Sequence, residues 1–153
     1  MLPSLGYQAD TTLQKSEVAR IQLFEAISLF TEEKFIPSIT LAGAAEEIFG
    51  KILHIKGELS VIKESTKAIE NLRLETGFLF MEGKSEREML DDWNFTRNSL
   101  KHLIGPVEEP ITLNLCDEAY WMIKRALLNA KRLQLPISNE NDFDNWVVVN
   151  INT

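Results

Sequence analysis

Apolar residues recur at helical spacing through most of this chain. Behind Ser16, the residues Val18, Ile21, Phe24, Ile27 and Phe30 repeat every three positions. That pattern predicts a first helix capped by Ser16, with Glu17 in its first turn and its end near Glu33. Leu41, Ala44, Ala45, Ile48, Phe49, Ile52 and Leu53 keep the i, i+3, i+4, i+7 pattern, which predicts a second helix from Pro37 or Ser38 to Lys56, closed by Gly57. Its small-residue cluster, Ala42-Gly43-Ala44-Ala45, predicts close approach by another helix. The pattern is poorer around Val61, Ile62, Ile69 and Leu72, where a third helix is expected over 60–72, with a less well marked continuation through Gly77.

Met81-Glu82-Gly83-Lys84 reads as a loop, and Ser85-Glu86-Arg87-Glu88 has the form of a capping box, so a helix starts there. Leu90, Trp93, Leu100 and Ile104 give it apolar contacts, and Gly105-Pro106 stops it. A long helix over about 114–134 carries Leu115, Ala119, Met122, Ile123, Ala126, Leu127 and Leu133 on its buried side. The β-branched run Trp146-Val147-Val148-Val149 is strand-like. The expected fold is therefore all-α: an antiparallel bundle of four to five helices over 16–135, its core built by the helices that begin at Ser16, Ser38, Ser85 and Asn114. A flexible arm, 1–15, precedes the bundle, and an irregular or strand-like tail, 136–153, follows it.

Length and charge narrow the function. One domain is the default for 153 residues, and no apolar run is long enough for a membrane helix. The first residues resemble no secretion signal, and Cys116 has no second cysteine to pair with, so a cytoplasmic protein is expected. A net charge of −7 argues against broad adhesion to nucleic acid, leaving only local contacts. Basic residues cluster twice, at Arg97, Lys101 and His102 and at Lys124, Arg125, Lys131 and Arg132; the second cluster reads as solvated helix surface. His54, with Glu46, Glu47 and Glu58 nearby, lacks the Glu-x-x-His spacing of a di-metal bundle and reads as a helix end. No metal and no cofactor is implied.

The candidate chemistry lies in Trp93-Asn94-Phe95-Thr96-Arg97-Asn98-Ser99-Leu100-Lys101-His102. Arginine, lysine, an amide and an imidazole are what a phosphodiester or nucleotide calls for. On one helix Arg97 and His102 diverge by about 140°, so a monomer would hold half a site, whereas Asn98 and His102 share a face. A twofold dimer could supply the missing arginine.

The sequence Arg97-Asn98-Ser99-Leu100-Lys101-His102 resembles the Arg-x4-6-His motif of the HEPN superfamily, and Ala44-Ala45-Glu46-Glu47-Ile48-Phe49-Gly50 is similar to the second helix of small prokaryotic HEPN-like proteins. The resemblance covers roughly 16–134. It implies a dimeric helical bundle, either a metal-independent endoribonuclease of the toxin type with a nucleotidyltransferase-type antitoxin, or a member without catalysis. Carried over, His102 is the acid or base, Arg97 binds phosphate and Asn98 supports them, with Lys101 and Trp93 as candidate substrate-binding residues. Asp91-Asp92 and the acidic charge depart from an RNA-cleaving pattern. Three functions follow: a ribonuclease, a catalytically silent nucleotide- or RNA-binding module, and a dimeric adaptor for another protein. Arg97 clustered with Asn98 and His102 across a dimer cleft favours the first two; burial of Arg97 in a salt bridge far from any twofold favours the third.

Overall fold

A computed structural model describes residues 2–103 and 105–151. Among these residues the chain is all-helical, with six α-helices and no strand: α1 (Lys15–Thr31), α2 (Phe35–Ile55), α3 (Val61–Thr76), α4 (Glu86–Ser99), α5 (Leu115–Arg132) and α6 (Glu140–Asn150). A short 3₁₀ turn, Phe80–Gly83, links α3 to α4. No helix among the described residues is long and apolar enough to cross a membrane. The expected contact at Ile104 lies outside the described residues.

The core is made by α1, α2, α5 and α6. On α1 its members are Ala19, Leu23, Ala26, Ile27 and Phe30, while Ile21 and Phe24, part of the expected stripe, are exposed. Each three-residue step falls about 60° short of a full turn, so a stripe at constant spacing three winds off the buried face. The start also differs from expectation: α1 begins at Lys15, and Ser16 caps nothing.

Ala42, Ala45, Phe49 and Leu53 bury one side of α2 between α1 and α5. Ser38, rather than capping α2, donates a buried hydrogen bond to the Ala26 carbonyl at 2.7 Å and ties it to α1. Gly57 takes φ +76° and closes α2 with a backbone bond from Glu58 back to Leu53, as the sequence led one to expect.

Two expectations fail. The run at Trp146–Val149 belongs to helix α6, not to a strand. Phe143, Trp146 and Val147 fall at i, i+3, i+4, and the first two meet Phe30 with ring centroids 5.1 and 4.7 Å apart, so aromatic packing overrides the β preference of three valines. This sixth helix, not the one starting at Ser85, completes the core. From α4 only Met89 and Thr96 are buried, and from α3 only Ile62 and Thr66.

The α3–α4 hairpin is instead held by polar groups. Lys63 pairs with Glu86 across it at 3.6 Å, and the Arg73 guanidinium donates to the Phe80 and Lys84 carbonyls at its turn. Arg132 of α5 donates to the Leu59 carbonyl at 2.8 Å and pairs with Glu64. The expected capping box is present: Ser85 Oγ accepts from the Glu88 amide at 3.2 Å, and the Glu88 carboxylate accepts from the Ser85 amide at 2.8 Å. The Ser85 amide, and the Ser85 hydroxyl donating to the same carboxylate oxygen at 2.8 Å, hold the Glu88 carboxyl below the ordinary carboxylate range.

Candidate functional site

Arg97 sits in the last turn of α4 and turns inward, toward α2. Its aliphatic stem crosses Gly43, where an added Cβ would lie 2.7 Å from both Cγ and Cδ of Arg97. The small-residue cluster of α2 is thus a close approach to a side chain on α4 at Gly43, while Ala42 and Ala45 lie in the core. One turn along α2, the Glu46 carboxylate accepts from Arg97 Nη1 at 3.1 Å through one oxygen and from Arg125 Nη2 at 3.1 Å through the other.

The three side chains retain 12%, 5% and 14% of their exposure for Arg97, Glu46 and Arg125 respectively, so the cluster is largely withdrawn from water. Arg125 also donates to the Trp93 carbonyl at 3.0 Å and to Asn94 Oδ1 at 2.8 Å, fixing the middle of α4 to α5. Asn129 extends the network, donating to the Glu46 carbonyl and accepting from the Val61 amide, which anchors the start of α3. Two cations on one carboxylate leave an excess positive charge, and the Nε–H groups of Arg97 and Arg125 are buried without an acceptor. Such a network is costly to disrupt, since removing the carboxylate would leave two guanidinium groups unpaired.

The neighbouring Glu47 lies at the edge of this cluster. A hydrogen bond from Lys51, 3.1 Å away, holds its carboxyl below the ordinary range; burial opposes this, and the charges of Arg97 and Lys101 add to it.

His102 lies elsewhere. α4 ends at Ser99, and the His102 amide donates to the Asn98 carbonyl at 3.1 Å beyond the last turn, leaving the imidazole exposed. The ring lines a cleft of about 460 Å³ with Phe95, Ser99, Leu103, Glu109 and Ile111, in which Arg97 takes no part. Asn98 and Lys101 are exposed, and among the described residues no hydrogen bond joins the Asn98 side chain to the imidazole. Trp93 faces a different cleft, between α3, α4 and α5. The five candidate residues are therefore close in sequence but are not gathered into one pocket in a single chain.

Comparison with protein-family models, with curated proteins and with solved structures finds no match.

Sequence reasoning passed over Glu46 and Arg125 as partners of Arg97. Glu46 did carry a signal: with Ala42, Phe49 and Leu53 it falls at i, i+4, i+7, i+11 on the buried stripe of α2, where a carboxylate is tolerated only when paired. Arg125, read as solvated surface, lies between the buried Met122 and Asn129 on α5.

Proposed function

We propose that this chain is a HEPN-like helical module that acts by association, as a catalytically silent adaptor, with its Arg97-to-His102 motif used for architecture. The observation that carries this reading is the Glu46–Arg97 pair: the guanidinium that would grip a phosphate is bound to a buried carboxylate of its own chain. To reach a phosphate, Arg97 would have to leave Glu46, at a cost of several kcal/mol for breaking a buried pair.

Association has a surface to use. Phe95, Leu103 and Ile111 stand exposed together around the His102 cleft, an apolar surface of the kind that marks a protein contact, and a homodimer formed there would face two copies of His102. A partner protein, of which a nucleotidyltransferase-type antitoxin is the class the family resemblance implies, would then meet a dimer.

A metal-independent endoribonuclease is the second reading, favoured by one observation. Asn98, Lys101 and His102 are exposed at the end of α4, free to meet RNA or a nucleotide. In that reading a His102 imidazole helps remove the 2′-hydroxyl proton and the cyclic phosphate follows.

One experiment separates the two. The protein is incubated with an RNA mixture in the presence of chelator, as wild type, His102→Ala and Arg97→Ala, and its mass in solution is measured for wild type and Phe95→Asp. The adaptor reading expects no cleavage by any of the three and a dimer that Phe95→Asp splits. Cleavage that falls by a factor on the order of 10² or more in His102→Ala would establish the ribonuclease instead.

A further inference from the structure

The largest cleft described shares no lining residue with the one beside His102. It measures about 670 Å³, within the roughly 300–1,000 Å³ of small-molecule sites, and is open between α3, α4 and α5. Its origin is the polar mounting of the hairpin. Asn129 and Arg132 hold the start of α3 against α5 and Arg125 holds α4, so the two helices are fixed at separate points and the wedge between them stays unfilled.

Val61, Ile62 and Ile69 form an apolar wall on α3, and the indoles of Trp93 and Trp121 stand across from it. Trp121 is 63% exposed, an unusual position for a side chain of that size unless something covers it. On α5, Glu118, Trp121 and Arg125 fall at i, i+3, i+7 on one face, separate from the core face of Ala119, Met122, Ile123 and Ala126.

The charges in the cleft are unequal in availability. Arg125 is committed to Glu46, Asn94 and the Trp93 carbonyl, and Asp92 to Lys84 at 2.6 Å. The Glu118 carboxylate has no hydrogen-bond or ion-pair partner among the described residues. A ligand entering the cleft therefore meets one uncommitted carboxylate, two indole rings and a hydrocarbon wall, in a chain of net charge −7. Indole faces and a carboxylate both attract cations, and both repel phosphate.

We propose that this cleft binds an organic cation with an apolar body: an ammonium or guanidinium group held between Glu118, Trp93 and Trp121, with its hydrocarbon part along Val61, Ile62 and Ile69. The group could arrive as a free amine or as a basic side chain of a peptide; the recognition chemistry is the same. The proposal is independent of whether the Arg97-to-His102 motif cleaves RNA.

Tryptophan fluorescence reads the site directly, because two of the three tryptophans line the cleft and the third, Trp146, packs on Phe30. The full chain is titrated with phenethylammonium, with the neutral 2-phenylethanol, with a Lys- and Arg-bearing amphipathic peptide, and with adenosine monophosphate. The expected result is a saturable change with phenethylammonium, the peptide or both, at least about tenfold weaker with 2-phenylethanol and weakened about tenfold again by Glu118→Gln, while Trp121→Leu removes most of the signal. Binding by the peptide alone assigns the cation to a protein, and binding by the amine alone to a small ligand. Equal binding of amine and alcohol, no change with either cation up to millimolar concentration, or preferential binding of the nucleotide would overturn the proposal. Glu118 and Trp121 lie outside the core, so circular dichroism of both variants is expected to match wild type.

Discussion

The two parts of this molecule are stabilised by different physics. Where α1, α2, α5 and α6 meet, buried aliphatic and aromatic side chains exclude water, with Phe30 touching Phe35, Phe143 and Trp146 at ring distances of 5.5, 5.1 and 4.7 Å. The α3–α4 hairpin buries only Ile62, Thr66, Met89 and Thr96, and is secured by Arg125, Arg97 and Asn129 through Glu46 and the backbone. An apolar core tolerates small shifts poorly but is insensitive to charge; a polar anchor depends on a few specific groups and fails when one is lost. The hairpin carries Trp93, Arg97 and Asn98 of the candidate motif, with Lys101 and His102 just past its end, so the motif rests on the more fragile attachment.

The sharpest way to break the core half is Phe30→Ala, expected to cost about 3–5 kcal/mol and to lower the denaturation midpoint of the entire chain. Glu46→Ala attacks the other half. By stranding Arg97 and Arg125 it is expected to cost about 3 kcal/mol, with hydrogen exchange accelerating in α3 and α4 while α1 and α6 keep their protection. Uniform acceleration across all helices would show that the two regions are one cooperative unit.

Two neighbouring substitutions on α2 refine the comparison, each expected to cost about 1–3 kcal/mol by overpacking. Ala45→Leu crowds the core and should weaken every helix, whereas Gly43→Ala displaces the Arg97 stem and should loosen α4 first. Hydrogen exchange resolved by helix distinguishes them. The smallest effect concerns acid. The Glu88 carboxyl titrates lower in the folded chain than in the unfolded one, so its contribution is present above the ordinary carboxylate range and is lost as pH falls through its folded value. Fraying of the first turn of α4 in that window should appear in wild type and be absent from the pH profile of Glu88→Gln.

The sequence made the helices legible wherever apolar residues followed the true helical period, as in α2 and α5, and wherever local chemistry was self-sufficient, as in the Ser85–Glu88 box and the Gly57 cap. It misled where a local preference met a tertiary demand. The valines after Trp146 favour a strand only until Phe143 and Trp146 find Phe30, a contact more than a hundred residues distant in the chain. Leu90, Trp93, Leu100 and Ile104 point to a core role for the helix starting at Ser85, yet of the three that are described only Leu100 packs against the core. Of the candidate site, the residues of the motif were legible as a cluster, but the direction of Arg97 was not, because it depends on Glu46 and Arg125, 51 and 28 positions away.

The central claim is that Arg97 is an anchor bound to Glu46 and not a free phosphate-binding group. A double-mutant cycle tests it most directly: Glu46→Gln, Arg97→Met and the two combined, each measured by equilibrium denaturation. The account predicts a coupling energy of about 1.5–3 kcal/mol, as for a hydrogen bond between charged groups. A coupling near zero, with the two single effects simply adding, would contradict it and return Arg97 to the surface chemistry of α4.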